Sequence, residues 1–245
     1  MDEAKAKQIV DYTFKDVFGV ACPFSLEAVK ERFAFDVKLP MKMEGAITGE
    51  EVWAAYDIKD KVIGQQAFIA QVRKDDWVKK KGQLNSIDDM LTSWREINYL
   101  RGERNINSVD ITKSDCIYNS SSVYQCYEMI HAQENVFSYN SLDCKYLVAS
   151  SNNSMCTLGV RMDESVRCSS SFEVSFSDKV SRSMYIHDSV DLYECIFCAH
   201  LRSKKYCIAN MQFEKEEYLK MKNIVIKWTL ENFDAKLKAE LNLGK

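Results

Sequence analysis

The chain has 245 residues, 46% of them hydrophobic and 28% charged, with 33 basic against 36 acidic side chains and a net charge of -3. A chain of this length can bury roughly 70–75% of its unfolded surface, which argues against disorder, and the near-neutral balance argues against a protein held to nucleic acid by phosphate neutralisation. Only 8 Gly and 2 Pro are present, Pro23 and Pro40, against 9 Cys, 12 Tyr and 12 Phe. The start, MDEAKAKQIVDY, has no apolar signal core, and no run of eighteen apolar residues occurs. The expectation is a non-secreted, cytoplasmic chain with reduced thiols and no membrane contact.

Residues 1–104 read as a mixed, mainly helical module. Ile9, Val10, Phe14, Val17 and Phe18 fall at helical spacing, and Gly19 follows where a helix can stop. Ser25 is suited to cap a second helix with Leu26, Val29 and Phe33 on one face. Between Val37 and Gly82, ITGEEVWAAYDI reads as a turn leading into a strand, and KVIGQQAFIAQV fits a strand or a short helix. KKKGQLN reads as a solvated connection, after which Ser86 caps a helix striped by Ile87, Met90, Leu91, Trp94 and Ile97.

From about Asn105 helical periodicity gives way to short segments such as NSVDI, SSVYQCY, ENVFSY, FEVSFS and DSVDLYECIFC. Val109, Val123, Val136, Val148, Val166, Val180 and Val190 mark a loose repeat, at intervals of 14, 13, 12, 18, 14 and 10 residues. Such strands are too short for a sandwich. They suit a solenoid, where each pairs with its counterpart one coil away, at about 4.8 Å. The predicted fold is therefore α+β: a mainly helical N-terminal module over 1–104, a right-handed β-solenoid of short stacked strands over 105–207, and a C-terminal helical cap over 208–245. In that cap Tyr218, Met221, Val225 and Trp228 form one stripe, continued by Leu230, Phe233, Leu237 and Leu241. It is expected to cover the open end, or to reach a partner with its later stripe. Eight cysteines, Cys116 to Cys207, fall in the solenoid and read as small core hydrophobes. Ser, Asn and Asp are expected at the bends in place of Gly and Pro.

The stretch CIFCAHLRSKKYCIANMQFEKEEY, Cys195 to Tyr218, resembles the C-terminal signature of a largely uncharacterised Cys-rich β-solenoid repeat family of tailed phages and small-genome bacteria. Leu201, Arg202, Lys204, Lys205, Tyr206, Cys207, Ile208, Asn210, Gln212, Glu216, Glu217 and Tyr218 carry the match; upstream the likeness is one of texture. The resemblance implies a solenoid with a helical end and a place in a phage particle or an assembly system, hence a virion location if the chain is phage-encoded. It transfers no catalytic residue. Relatives carry Cys-rich zinc-binding segments near the N-terminus, where this chain has only Cys22.

Cys195-x-x-Cys198-x-His200-x6-Cys207 holds four zinc-competent side chains, though in a stacked coil the cysteines read more simply as core. His131 near Glu134 and His187 beside Asp188 are candidate acid–base pairs, with short-range surface pairs the simpler reading. Arg202, Lys204 and Lys205 read as a solvated surface beside Glu214, Glu216 and Glu217. Exposed tyrosines at 118, 124, 127, 139 and 146 suggest a contact face, with partner binding assigned to Tyr124, Tyr127 and Tyr139, or else a ladder packed on the N-terminal helices. No G-x-S-x-G, P-loop, G-x-G-x-x-G or H-E-x-x-H motif occurs. The expected function is a non-enzymatic structural or protein-interaction role, with no cofactor and with a protein partner or homo-oligomer. One alternative is a zinc-dependent regulator or enzyme using Cys195, Cys198, His200 and Cys207. Another is nucleic-acid binding through Arg73, Lys74 and Lys79–Lys81.

Overall fold

The computed structural model describes residues 1–57 and 59–241; Ile58, the end of the expected turn and strand, lies outside them. The first module contains α1 (Glu3–Phe18) and α2 (Leu26–Phe33), a hairpin of β1 (Met41–Glu44) and β2 (Glu51–Ala54), then β3 (Val62–Ile63), α3 (Gln65–Asp75), α4 (Ile87–Arg95) and β4 (Leu100–Arg101). Three of these helices stop or start on a signal visible in sequence. Gly19 closes α1 at φ 77°, the Ser25 hydroxyl accepts the Ala28 amide, and Ser86 with Asp89 makes a reciprocal capping box on α4. The ambiguous segment KVIGQQAFIAQV is both things in turn, β3 and then α3.

From Asn105 the chain winds into a β-solenoid of about nine coils. Its register is strict: Gln133 pairs in parallel with Ser121 and Lys145, Tyr139 with Tyr127 and Ser151, and Met184 with Phe172 and Ile196, always twelve residues apart. The valine spacing that looked loose had sampled several columns of one exact lattice. Each coil is four triplets. The first residue of a triplet points inward, the second outward, and the third takes a left-handed conformation that turns the corner. Every third residue from Asn107 to Ala209 has φ between 43° and 60°, thirty-five in all, and none is glycine.

This corrects the expected division of labour. Only eleven of those corners are Asn, Asp or Ser; the others include Phe137, Tyr146, Leu158, Arg161 and Phe176. The serines mostly face inward instead, eleven of them between Ser108 and Ser189, together with seven cysteines. Their role is to satisfy backbone amides. A Ser hydroxyl, Cys thiol or Asn carbonyl accepts the N–H of the inward residue one coil later, as in Ser150 to Ser138 Oγ (3.4 Å), Leu147 to Asn135 Oδ1 (2.7 Å), Cys168 to Cys156 Sγ (3.3 Å) and Cys195 to Ser183 Oγ (3.0 Å). The same hydroxyls and thiols donate to the carbonyl two residues back, for example Ser138 to Val136 and Cys198 to Ile196. A buried amide left unpaired costs about 1–3 kcal/mol, so a partly polar core is favoured here over an all-aliphatic one. Gly159 sits inward for a different reason: a Cβ there would lie 2.1 Å from the Met162 methyl.

One outward column is apolar along seven coils, namely Tyr124, Val136, Val148, Val160, Phe172, Met184 and Ile196, and α1, α2 and α5 (Lys215–Asn232) bury it. Lengths match. Lys5 lies on Ser122 near the first coils and Phe18 packs 5.2 Å from Phe172, so between these contacts α1 crosses about four coil steps, or about 20 Å, with thirteen residue steps that also rise about 20 Å. The C-terminal helix expected as an end lid is a flank brace instead. Tyr218 packs on Tyr206, Thr229 hydrogen-bonds Tyr185 (2.9 Å), and Phe233 meets Phe172 and Phe33, because the apolar surface that needs covering is the side and not the end. The last coil is met by an antiparallel pairing, Met211–Gln212 on Cys207–Ile208. A short helix α6 (Ala235–Glu240) follows.

Candidate functional site

The twelve-residue lattice decides which side chains meet. Cys195 and Cys207 stack in one inward column, and Cys198 lies in the next. All three are buried, whereas His200 occupies a corner, largely exposed, with its Nδ1 2.8 Å from Asp188 Oδ2. The four zinc-competent side chains are therefore not brought to one point. Among the described residues no group of three or more His, Cys, Asp or Glu is arranged to hold a metal ion. Cys195 and Cys198 share a hydrogen bond that lowers the Cys198 thiol and, with burial, raises that of Cys195. A lowered thiol only 2% exposed has no route to a substrate. In the neighbouring ladder, the hydrogen bond with Cys144 and burial push Cys156 up to about 12.

The histidines pair across coils rather than with their sequence neighbours. His131 meets Asp143 (3.2 Å) and not Glu134, and His187 meets Ser175 (3.1 Å) and not Asp188. Both contacts are twelve residues apart, as stacking requires.

Of the two expectations for the tyrosines, a contact face or packing on the N-terminal module, Tyr124, Tyr127 and Tyr146 follow the second, and the five do not share one face. Tyr124 is 3% exposed; its hydroxyl donates to Glu3 Oε1 (3.0 Å) and accepts from Lys113 Nζ (2.8 Å). Tyr127 and Tyr139 stack with centroids 5.6 Å apart, under Lys38, whose Nζ is 4.7 Å from the Tyr127 ring. Tyr146 packs on Tyr12, and Tyr118 is half-buried on another side.

Beside Tyr139 lies a cleft of about 280 Å³, lined in part by Asp36, Lys38, Ser151, Asp163, Arg161, Glu173 and Lys238. Nothing in the local sequence announces it, since its charges come from three distant segments. Arg161, a left-handed corner residue, binds both Asp36 oxygens (2.9 and 2.8 Å), Glu173 (2.5 Å) and the Phe33 carbonyl, while Lys238 reaches Asp36 (2.7 Å) and Glu173 (3.6 Å). Burial opposes ionisation of Asp36, but the two cations outweigh it and bring the carboxyl to about 2. Within this cluster two cations face two anions, so these four charges are spent on one another. The cluster is a clasp joining α2, the solenoid and α6.

Two groups of apolar side chains are open to solvent. On the side of the solenoid opposite the helices, Ile106, Tyr118, Ile130 and Leu142 form one outward column on four successive coils, three of them more than 40% exposed. In the first module neither α3 nor α4 has a single buried residue, and the stripe read from sequence faces water: Ile87 is 68% and Trp94 54% exposed. Of the basic candidates, Arg73 and Lys74 end α3 next to Asp75 and Asp76, and Lys79 is paired with Glu96. No described helix is long and apolar enough to cross a membrane. No family model matches the sequence, and no curated protein and no solved structure matches it significantly.

Proposed function

We propose that this chain is a non-enzymatic structural or protein-interaction protein that offers a rigid array of apolar side chains to a protein partner. The observation that carries the reading is the exposed column Ile106, Tyr118, Ile130 and Leu142, one side chain per coil at a fixed spacing of about 4.8 Å. Ladder pairing fixes the backbone beneath that column, so little ordering entropy opposes binding. The resemblance of Cys195–Tyr218 to a phage-associated repeat family supports a place in a particle or an assembly system. In this chain those residues finish the solenoid: Asn210 bonds both the Ala199 amide (3.1 Å) and its carbonyl (2.9 Å), and Tyr206 packs on Tyr218.

The test is co-purification from cells that express the protein naturally, comparing wild type with the double variant Ile130→Lys, Leu142→Lys. The expected result is loss of a stoichiometric protein partner with thermal stability kept. An unchanged partner set, or a turnover abolished by Cys198→Ser, would overturn the reading.

A further inference from the structure

We propose that α4 is a self-association helix, pairing antiparallel with α4 of a second copy of this chain. The inference rests on the interaction reading above and names one surface and its occupant.

Helices of nine and eleven residues are marginal alone and gain their order by burying an apolar face. Yet α4 points Ile87, Met90, Leu91 and Trp94 into solvent, with Leu84 before it and Ile97 after it. At roughly 150–200 Å² for a large side chain and half of it exposed, these six carry on the order of 500–600 Å² per copy. Two copies therefore cover roughly 1,100 Å² before any rim is added, just above the ~1,000 Å² expected of a specific contact.

Charge selects the occupant. The segment from Arg73 to Glu96 carries six basic and five acidic side chains, so it repels neither a copy of itself nor a neutral surface and lacks the single sign that would favour an oppositely charged partner. Asp88 and Arg95 are both exposed, and among the described residues neither side chain has an ion-pair partner. They stand seven residues apart, two helical turns, and so lie on one face of α4 at opposite ends. A two-fold axis through the middle of the helix sets Asp88 against Arg95 of the second copy, and the reverse, while stacking Ile87 on the second Trp94. A parallel arrangement would put the two Asp88 side chains at one level on opposite flanks of the seam, each out of reach of Arg95 at the other end. The helix dipoles also favour the antiparallel choice.

Sedimentation of the full chain at concentrations up to about 50 μM tests this. Wild type is expected to dimerise, and Trp94→Ala to weaken the dimer about thirtyfold or more, as truncation of a central aromatic anchor does. Asp88→Lys alone and Arg95→Glu alone should each weaken it by about three- to tenfold, and the double variant Asp88→Lys, Arg95→Glu should restore it, because the swapped charges face each other again. All the substituted side chains are exposed, so unchanged thermal melts at concentrations dilute enough to keep every protein monomeric confirm folded proteins. A monomeric wild type, or a double variant no better than the singles, would overturn the assignment. If a monomeric wild type still loses its partner on Ile130→Lys, Leu142→Lys, the second-copy assignment falls and the interaction reading stands.

Discussion

Left-handed corners give the sharpest test of the fold. Lys179 is an exposed corner at φ 55°; its amide donates to the Val166 carbonyl (3.1 Å). A left-handed L-residue costs about 1–2 kcal/mol, which glycine avoids, while glycine's extra unfolded-state entropy costs about 0.5–1 kcal/mol. Lys179→Gly should therefore stabilise the protein by about 0.5–1 kcal/mol, against the usual effect of introducing glycine. Lys179→Val should destabilise it by about 1 kcal/mol or more, since a β-branched side chain is poorly tolerated at positive φ. Thr157 is an exposed outward residue two positions after the corner at Met155, and there the preferences reverse: Thr157→Val should stay within about 0.5 kcal/mol and Thr157→Gly should destabilise. Urea denaturation at fixed m-value reads these differences directly. A destabilising Lys179→Gly together with a neutral Lys179→Val would refute the triplet assignment, because no other position type predicts this order of signs.

Two further outcomes follow from buried contacts. Asp36→Asn leaves Arg161, 3% exposed, facing one carboxylate fewer, and should cost about 3 kcal/mol. The Asp36 carboxyl is held at about 2, below its ordinary 3.8, so its roughly 2 kcal/mol contribution is fully present above pH 4 and lost as pH falls toward 2. Asp36→Asn should lack that part of the acid dependence, and equal slopes in both proteins would dismiss the clasp. Cys156→Ala removes the acceptor for the Cys168 amide and should lose about 1–3 kcal/mol, whereas Cys156→Ser keeps an acceptor and a donor and should recover most of it. Matching melting curves for the two variants would mean that the thiol acts only as a hydrophobe.

The helices of the first module were legible because their signals are local: Gly19, Ser25 and Ser86 act within three residues of themselves. The change of texture at Asn105 was legible too, but the period was not. Identical residues recur at twelve only in short runs, such as Val136, Val148 and Val160 or Cys144, Cys156 and Cys168, and no column keeps one residue type throughout. One inward column reads Ile111, Val123, Asn135, Leu147, Gly159, Ser171, Ser183, Cys195 and Cys207, because packing has to fill each coil as a layer and a small residue in one column is offset by a large one beside it, as Gly159 is by Met162. What does recur is an exclusion. Between Asn105 and Ala209 stand eighteen Val, Ile and Thr residues, and none occupies a corner. Steric conflict at positive φ writes a period of three into the sequence even where composition shows no pattern. That exclusion alone specifies which third of the positions are corners.

With the register fixed, the rest follows by geometry. The second residues of every fourth triplet form the apolar column Val136, Val148, Val160, Phe172, Met184 and Ile196, which no soluble coil can leave bare, so the flanking helices have a required seat. That seat consumes α1, α2 and α5, and with them Tyr124, while Tyr127 is buried separately against Tyr139 and Lys38. The inward columns are closed as well, their thiols and hydroxyls committed to backbone amides. The outward column through Ile130 and Leu142 and the face of α4 stay bare, and the proposed contacts rest on these two surfaces.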